Sequence, residues 1–424
     1  MKWSFLLLCW VTNIVFALTL EEAEELALQN HPQIRAAEEL IERAKQGRWE
    51  AISKWLPKLT LLSQAFKTQK PLKFLKLNKP SAFFTQISLT QSIVSSDLYH
   101  DIRIASLLVE QYDEMLKTAR NDILFETRVL YNLIALDRRK VATAKEHTEL
   151  LTLLQERMEG KFLIGEAIAY NVNQAKVAVA NVANNYYDAV KNLKSHEDEL
   201  SQALGIDPVA NPYAFNQEEI AQVQIPKMGS EEWVGLADEH RPDILLSKTA
   251  LRVAHQEVKK KQGEYWPALA VLGGYGGGST PYLELPSDHW RQQIFQWALG
   301  VSLSWTVFDG TGRERRIQKA KAGFRASRFD LQKVAQAAHT DVRTQLYKIE
   351  DAQFKLETAS KTLELAGETL QQAISQLDIG YITIFDYMIS VDGLIRSKTA
   401  FDENQFELVS AYYGLLHACG KERL

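Results

Sequence analysis

The chain has 424 residues, 46% of them hydrophobic and 24% charged, with a net charge of −4, 21 glycines, 11 prolines and 2 cysteines. This charged fraction excludes a disordered chain, a collagen and a bundle of membrane-crossing helices, and the near-neutral balance leaves no footprint for nucleic acid. So few chain breakers over this length point to long uninterrupted elements rather than an all-β design of many turns.

The first element is a leader. Met1-Lys2 precedes an apolar run over residues 3–16, and Val15-Phe16-Ala17 supplies the small or modest residues of a cleavage site, the pattern of a secretory signal peptide over residues 1–17. That run is too short to cross a bilayer as a helix. Cys9 has too little apolar sequence before it for a lipid acceptor and reads as apolar filler, so the mature chain keeps Cys419 alone, with no internal disulfide. No later run of about 18 apolar residues occurs, which leaves a soluble, surface-attached or β-barrel protein.

Residues 20–54 read as one helix with acidic residues in its first turn, ended by Pro57 after Trp55-Leu56. Residues 58–68 and 83–94 are expected strands; in the second, Phe83, Ile87, Leu89 and Ile93 take one face and Gln86, Ser88, Thr90 and Ser92 the other. The loop between them carries Lys67, Lys70, Lys73, Lys76 and Lys79 and reads as a solvated tip. A proline-free stretch over residues 98–159 then predicts a helix of ~90 Å at ~1.5 Å per residue. No single compact core covers such a helix, so it must pack laterally, with Ile104, Leu108, Met115, Ile123, Leu130 and Ile134 at coiled-coil spacing. At Phe162-Leu163-Ile164-Gly165-Glu166 it turns into a second helix over residues 166–204, Gly165 accepting the positive φ that ends a helix.

The order then repeats. Glu21-Glu22, Leu26-Ala27, Pro32, Ile34, Ala44, Gln46, Pro57 and Leu59 recur 210 positions later as Glu231-Glu232, Leu236-Ala237, Pro242, Ile244, Ala254, Gln256, Pro267 and Leu269. Ser88-Leu89 recurs at 214 positions as Ser302-Leu303, and Gly165 and Gly205 recur at 215 as Gly380 and Gly420. Length changes confined to loops indicate one duplicated unit: a first repeat over 18–205, a linker over 206–229 and a second repeat over 230–424. In the second repeat, residues 231–265, 311–378 and 384–419 read as helices and 268–276 and 295–308 as strands, with the turn at Leu377-Asp378-Ile379-Gly380-Tyr381.

The strand over 295–308 is the clearest, with Phe295, Trp297, Leu299, Val301, Leu303, Trp305 and Val307 on one face. Its lack of charge, its length and its terminal aromatics suit a strand facing lipid, although a soluble sheet with one face on a core shows the same alternation. The expected fold is mainly α with β: a duplicated long α-hairpin coiled-coil tube plus four β-strands per chain. Four strands cannot close a barrel, and each unsatisfied backbone group on an open edge in lipid costs several kcal/mol, so the chain must oligomerise.

Catalytic signals are weak. The nine histidines include no metal-binding spacing, and His31, His147, His196 and His255 read as solvated helix faces. The glycines over 274–278 and Gly310-Thr311-Gly312 belong to a strand and a barrel rim rather than to phosphate loops. No nucleophile-base pair, metal or cofactor is expected, and no enzyme.

Asn30-His31-Pro32 and Arg241-Pro242-Asp243, Trp55-Leu56-Pro57 and Tyr265-Trp266-Pro267, the run from Leu303-Ser304-Trp305-Thr306-Val307 through Phe308-Asp309-Gly310-Thr311-Gly312, and the tip residues 380–386, taken in order and in duplicate, resemble the outer-membrane efflux protein family, the TolC-like channels. The resemblance implies a homotrimer in the bacterial outer membrane, its three chains forming a twelve-stranded transmembrane barrel in contact with lipid, continuous with a long periplasmic helical tube. It further implies a passive exit duct of a tripartite efflux or type I secretion system, served by a periplasmic adaptor protein and an inner-membrane transporter, with the adaptor at the Gly165 and Gly380 tips. Asp386 matches an acidic position that forms a threefold ring in some members; Asn171 replaces the equivalent Asp, and Ile389 stands where a second ring carboxylate often lies. Leu377 and Ile382 occupy positions where better known members place the Tyr and Arg of a polar lock, so a hydrophobic constriction of Leu377, Tyr381 and Ile382 is expected instead. A periplasmic coiled-coil scaffold and a surface adhesin without channel activity are the alternatives.

Overall fold

The computed structural model describes residues 18–67, 81–206, 219–279 and 296–422. The leader with Cys9, the loop residues Lys70, Lys73, Lys76 and Lys79, and Phe295 lie outside them, as do the side chains of Lys67 and Phe83.

The helix expected at the start of each repeat is two helices. Helix α1 (Leu20–Asn30) gives way to α2 (Pro32–Ser53), and α5 (Ser230–His240) to α6 (Pro242–Gly263). A residue before proline is driven out of the α region by the ring, and His31 (φ −62°, ψ 126°) and Arg241 (φ −67°, ψ 119°) are accordingly extended. Strands β1 (Lys58–Lys67) and β2 (Ser81–Val94) lead into α3 (Ser96–Leu163) and α4 (Ala169–Ala203); β3 (Ala268–Ser279) and β4 (Gln296–Ser304) lead into α7 (Gly312–Asp378) and α8 (Ile384–Cys419).

Four helix ends close in the same way. At Gly165, Gly205, Gly380 and Gly420 the glycine has φ between 67° and 80°. Its N–H bonds the carbonyl three residues back and the next N–H bonds the carbonyl five back, as in Gly380 to Leu377 (3.2 Å) and Tyr381 to Gln376 (2.9 Å). Gly205 and Gly420 carry a further constraint. A Cβ at Gly205 would lie 2.7 Å from the Asn30 carbonyl oxygen, and one at Gly420 2.7 Å from that of His240, so each repeat seats its last turn against its first helix break.

The chain divides into two compact units. The first comprises residues 1–37, 116–242 and 335–424. In it α4 is tied to α3 by Arg138–Glu197 (3.2 Å) and His196–Asp137 (2.5 Å), α3 to α8 by Arg139–Asp402 (2.9 Å) and Lys398–Glu146 (2.5 Å), and α8 to α7 by Lys355–Glu407 (3.5 Å). These pairs place α3 beside both α4 and α8, and α8 beside α7. On α7 the buried positions Val342, Ile349, Ala352, Ala359, Leu370, Ala373 and Leu377 fall close to heptad spacing. Each repeat closes a small core of its own: Ala23, Ala27, Ile123, Ile134 and Leu200 in the first, Trp233, Ala237, Val342, Ile349 and Leu415 in the second. Arg128 is buried between the Glu24 carboxylate (2.7 Å) and the Tyr413 ring (5.4 Å). Ile220, in the irregular segment before α5, packs with Ala135, Leu136 and Val409, and the Ala221 N–H donates to Asn132 Oδ1 (3.0 Å).

The second unit comprises residues 38–115 and 243–334. It holds one antiparallel sheet in the order β1-β2-β3-β4, together with most of α2 and α6 and the adjoining turns of α3 and α7. Arg43–Tyr112 (3.2 Å) joins α2 to α3, Lys260–Asp101 (2.5 Å) joins α6 to α3, and Arg316–Glu264 (2.6 Å) joins α7 to the turn that follows α6.

Gly420→Ala should lower stability by about 2–4 kcal/mol, because positive φ and backbone collision act together, whereas Gly380→Ala, whose Cβ meets nothing within 4 Å, should lose about 1 kcal/mol. Thermal melts of the two variants should separate accordingly; equal losses would show that the contact with the helix break contributes nothing.

Candidate functional site

Two surfaces stand out, one in each unit. The first is a face of the sheet. Residues directly opposite in an antiparallel ladder share a face, and the register aligns Leu59, Leu89, Gly273 and Leu299 in one cross-strand row and Leu61, Ile87, Tyr275 and Trp297 in the next. Val271 with Val301 and Leu269 with Leu303 extend the same face. The other face carries Thr60, Ser88, Gly274 and Ala298 in one row and Ala270 with Ser302 in another. Leu59, Leu61, Ile87, Tyr275, Trp297, Leu299, Val301 and Leu303 are all exposed, so this apolar face has no covering layer. Gly273 makes room in its row, since a Cβ there would stand 3.3 Å from Leu89 Cβ.

Three residues expected on this face are placed differently. Trp305 and Val307 lie beyond β4, which ends at Ser304, because the following Gly310 and Thr311 adopt positive φ and turn the chain into α7. Ile93 sits at a β-bulge: the register passes from Ser92–Ala270 to Val94–Leu269, so Val94 takes the ladder position that simple alternation assigns to Ile93.

The second surface is the pair of helical tips. Asp386 is the N3 residue of a capping box at the start of α8: Thr383 N–H and Oγ1–H donate to Asp386 Oδ2 (2.9 and 2.6 Å), and Asp386 N–H donates to Thr383 Oγ1 (3.2 Å). Those hydrogen bonds hold the Asp386 carboxyl below its usual range. The first tip lacks this device, with Ile168 at the N-cap of α4 making no side-chain bond and Asn171 in the N3 place. It is braced instead by Lys176–Glu159 (3.1 Å) between α4 and α3, with the Lys176 and Gln155 hydrogen bonds holding the Glu159 carboxyl low.

Leu377 is not placed to constrict a mouth. It is 5% exposed, packed with Leu154, Met158, Val172, Ala373 and Tyr387 in the core of the hairpins, because it falls on the heptad stripe of α7. Tyr381 is 80% exposed and Ile382 lies against that core. Sequence reasoning overlooked the apolar surface around both turns: Leu163, Ile164, Ile168 and Tyr170 in the first, and Ile379, Phe385 and Ile389 in the second, are exposed. Their signal is an apolar residue lying off the buried stripe.

Two histidines read as solvated are inter-helix contacts. His196 meets Asp137 as above, and His147 is buried with Nε2 3.0 Å from Asp392 Oδ1, an ion-pair approach without aligned hydrogen-bond geometry. Burial holds the His147 imidazole below its ordinary pKa of 6.5 against the opposing pull of Asp392. Among the described residues no helix is long and apolar enough to cross a membrane, a statement that does not bear on a β-barrel, and no group of three or more His, Cys, Asp or Glu is arranged to hold a metal ion.

A sequence model described as outer membrane efflux protein matches residues 24–206 and 233–388, more than half of the chain. The outer membrane efflux protein BepC of Brucella suis is 21% identical over 310 residues, which are 71% of this chain; the chain covers 64% of that relative's length. The Campylobacter jejuni CmeC outer membrane channel has a similar fold, with a TM-score of 0.82 and 17% identity over 95% of this chain and 85% of that one. The outer membrane protein VceC of Vibrio cholerae does too, at a TM-score of 0.81 and 17% identity over 95% of this chain and 96% of that one.

Leu377→Ala should destabilise by about 2–5 kcal/mol and Tyr381→Ala by about 0.5 kcal/mol or less, read from denaturant midpoints; the reverse order would return Leu377 to the surface. The depressed folded pKa of His147 means that protonation favours the unfolded chain, so its contribution is present above pH 6.5 and lost as pH falls below it. His147→Gln should flatten the fall of melting temperature in that window, and an unchanged slope would place the ring in water.

Proposed function

We propose, because this chain belongs to the outer membrane efflux protein family, that it is the exit duct of a tripartite efflux or type I secretion system. The family is one of outer-membrane channels rather than enzymes, and this protein is of the outer membrane. The single observation that carries the reading is the sheet with exposed apolar rows across one face and, among the described residues, two unpaired edges, β1 and β4. In lipid those edges demand partners, and three copies joined β4 to β1 supply them as a twelve-stranded barrel. The helices add to this demand, since α4 exposes Val177 and Tyr187 and α7 exposes Tyr347 and Phe354, apolar side chains that neighbouring copies would cover. In this reading the chain is organised as a leader over residues 1–17, repeats over 18–205 and 230–424, and a linker over 206–229.

The tips serve as the periplasmic gate. Gly165 and Gly380 make the turns, Tyr381 and Ile382 narrow the mouth, and Asp386 presents charge there while capping α8, with Asn171 neutral in the other repeat. The exposed apolar residues around both turns are the surface offered to a periplasmic adaptor, which joins the duct to an inner-membrane transporter. Energy comes from that transporter, and the duct itself is passive.

Outer-membrane fractions should contain a trimer that dissociates only on heating, and the purified trimer should conduct in planar bilayers; a monomer without conductance would overturn the duct. Val301→Lys, on the apolar face, should reduce trimer yield through a penalty of about 2–4 kcal/mol per chain, while Ala298→Lys on the other face should assemble. For the gate, Ile382→Ala and Asp386→Asn should raise closed-state conductance, and unchanged conductance in both would confine these residues to packing.

A further inference from the structure

A cavity of about 250 Å³ lies in the second unit between α3, α6 and α7, and takes no lining residue from the sheet or the tips. Leu107, which is 4% exposed, and the half-buried Leu251 and Phe324 give it apolar walls, while Arg103, Arg252 and His255 stand exposed beside them. The helix period collects these groups, since Arg103 and Leu107 are four apart on α3, and Leu251, Arg252, His255 and Gln256 share one face of α6. The volume is below the ~300–1,000 Å³ of drug-sized sites, so it suits a body of one or two rings.

Most of the polar groups are already engaged. Arg252 pairs with Glu110, and the His255 ring stands edge-on to Phe324 at 5.4 Å, fixing that wall. His100 Nδ1–H donates to Gln256 Oε1 (3.1 Å), which leaves the Gln256 amide N–H groups as donors at the cavity. Arg103 alone of the three cationic or basic side chains has no ion pair, hydrogen bond or ring contact among the described residues. With Arg252 offset by Glu110, Arg103 supplies a positive charge that no carboxylate binds.

The first repeat serves as an internal comparison. The 210-residue offset pairs Leu251 with Ile41, Arg252 with Glu42, His255 with Lys45 and Gln256 with Gln46. Glu42 is bound within its own helix by Lys45 (3.6 Å) and Gln46 (2.7 Å). The apolar and amide positions are kept in the second repeat, and the acid has become Arg252.

We propose that this cavity binds a small amphipathic organic anion, a carboxylate or sulfonate on a body of one or two rings. The rings lie against Leu107, Leu251 and Phe324, and Arg103 takes the anionic group, its planar guanidinium matching a carboxylate in a bidentate pair. A neutral analogue forgoes that pair, and a cationic one meets Arg103 with like charge. The site needs neither barrel nor trimer, because every lining residue belongs to one unit of one chain.

Calorimetric titration of the full chain in phospholipid nanodiscs with naphthoate, naphthamide and naphthylmethylammonium, each corrected for empty nanodiscs, tests this. Naphthoate should bind once per chain about fivefold tighter than the amide, the worth of one partly exposed ion pair, and the ammonium should bind most weakly. Arg103→Gln should abolish that preference without moving the melting temperature, Arg103→Glu should turn it toward the ammonium, and Phe324→Ala should weaken naphthoate and naphthamide alike. Equal binding of naphthoate and amide, or a preference that survives Arg103→Gln, overturns the anion site. Ligand affinities untouched by Phe324→Ala would put the rings elsewhere, which rejects it as well. Conductance plays no part in the readout, so failure here leaves the duct standing.

Discussion

A backbone N–H or C=O in lipid has no water to turn to, and the rest of this architecture follows from that constraint. The apolar rows across β1 to β4 suit the sheet for hydrocarbon, yet β1 and β4 each leave one side without a ladder partner among the described residues. In the duct proposed above, a folded single chain is an incomplete object. There, closing the sheet around a threefold axis would use the same strands to satisfy hydrogen bonds and to exclude lipid from the interior, so assembly and membrane insertion would be two aspects of one requirement.

The helices obey an analogous rule with weaker force. Helix α7 buries a stripe near heptad spacing over much of its length, so lateral packing against its neighbours supplies much of the order of the helical unit. Ion pairs between neighbours, such as Arg139–Asp402 and Lys398–Glu146, mark which helices lie side by side. The buried Glu24–Arg128 pair beneath the Tyr413 ring ties the first helix of the chain to α3. Glycines in the left-handed region end these helices at duplicated positions, two at free tips and two pressed against the start of their own repeat.

Much of this was legible from the order of residues. The 210-residue offset, the prolines after aromatic or apolar pairs and the glycine tips mark local conformations that a few neighbouring residues decide. Where expectation and structure part, the cause is nonlocal or lies in a single backbone step. Pro32 and Pro242 break a helix that periodicity runs through, and a bulge moves Ile93 off the ladder and puts Val94 in its place. The turn at Gly310-Thr311 stops a strand whose alternation continues through Val307. His147 and His196 sit on helices that look solvated until Asp392 and Asp137 are brought beside them by other segments.

By itself the sequence determined the duplication, the four strands with one apolar face, the long helices and their glycine tips, because each depends on the period of side chains along a local backbone. Only the tertiary structure decided which of two similar apolar residues is core and which is surface. Leu377 and Tyr381 are four residues apart in sequence, yet one is packed against the neighbouring helices and the other, past the turn at Gly380, stands in the open, because burial depends on which side chains other segments bring beside each residue.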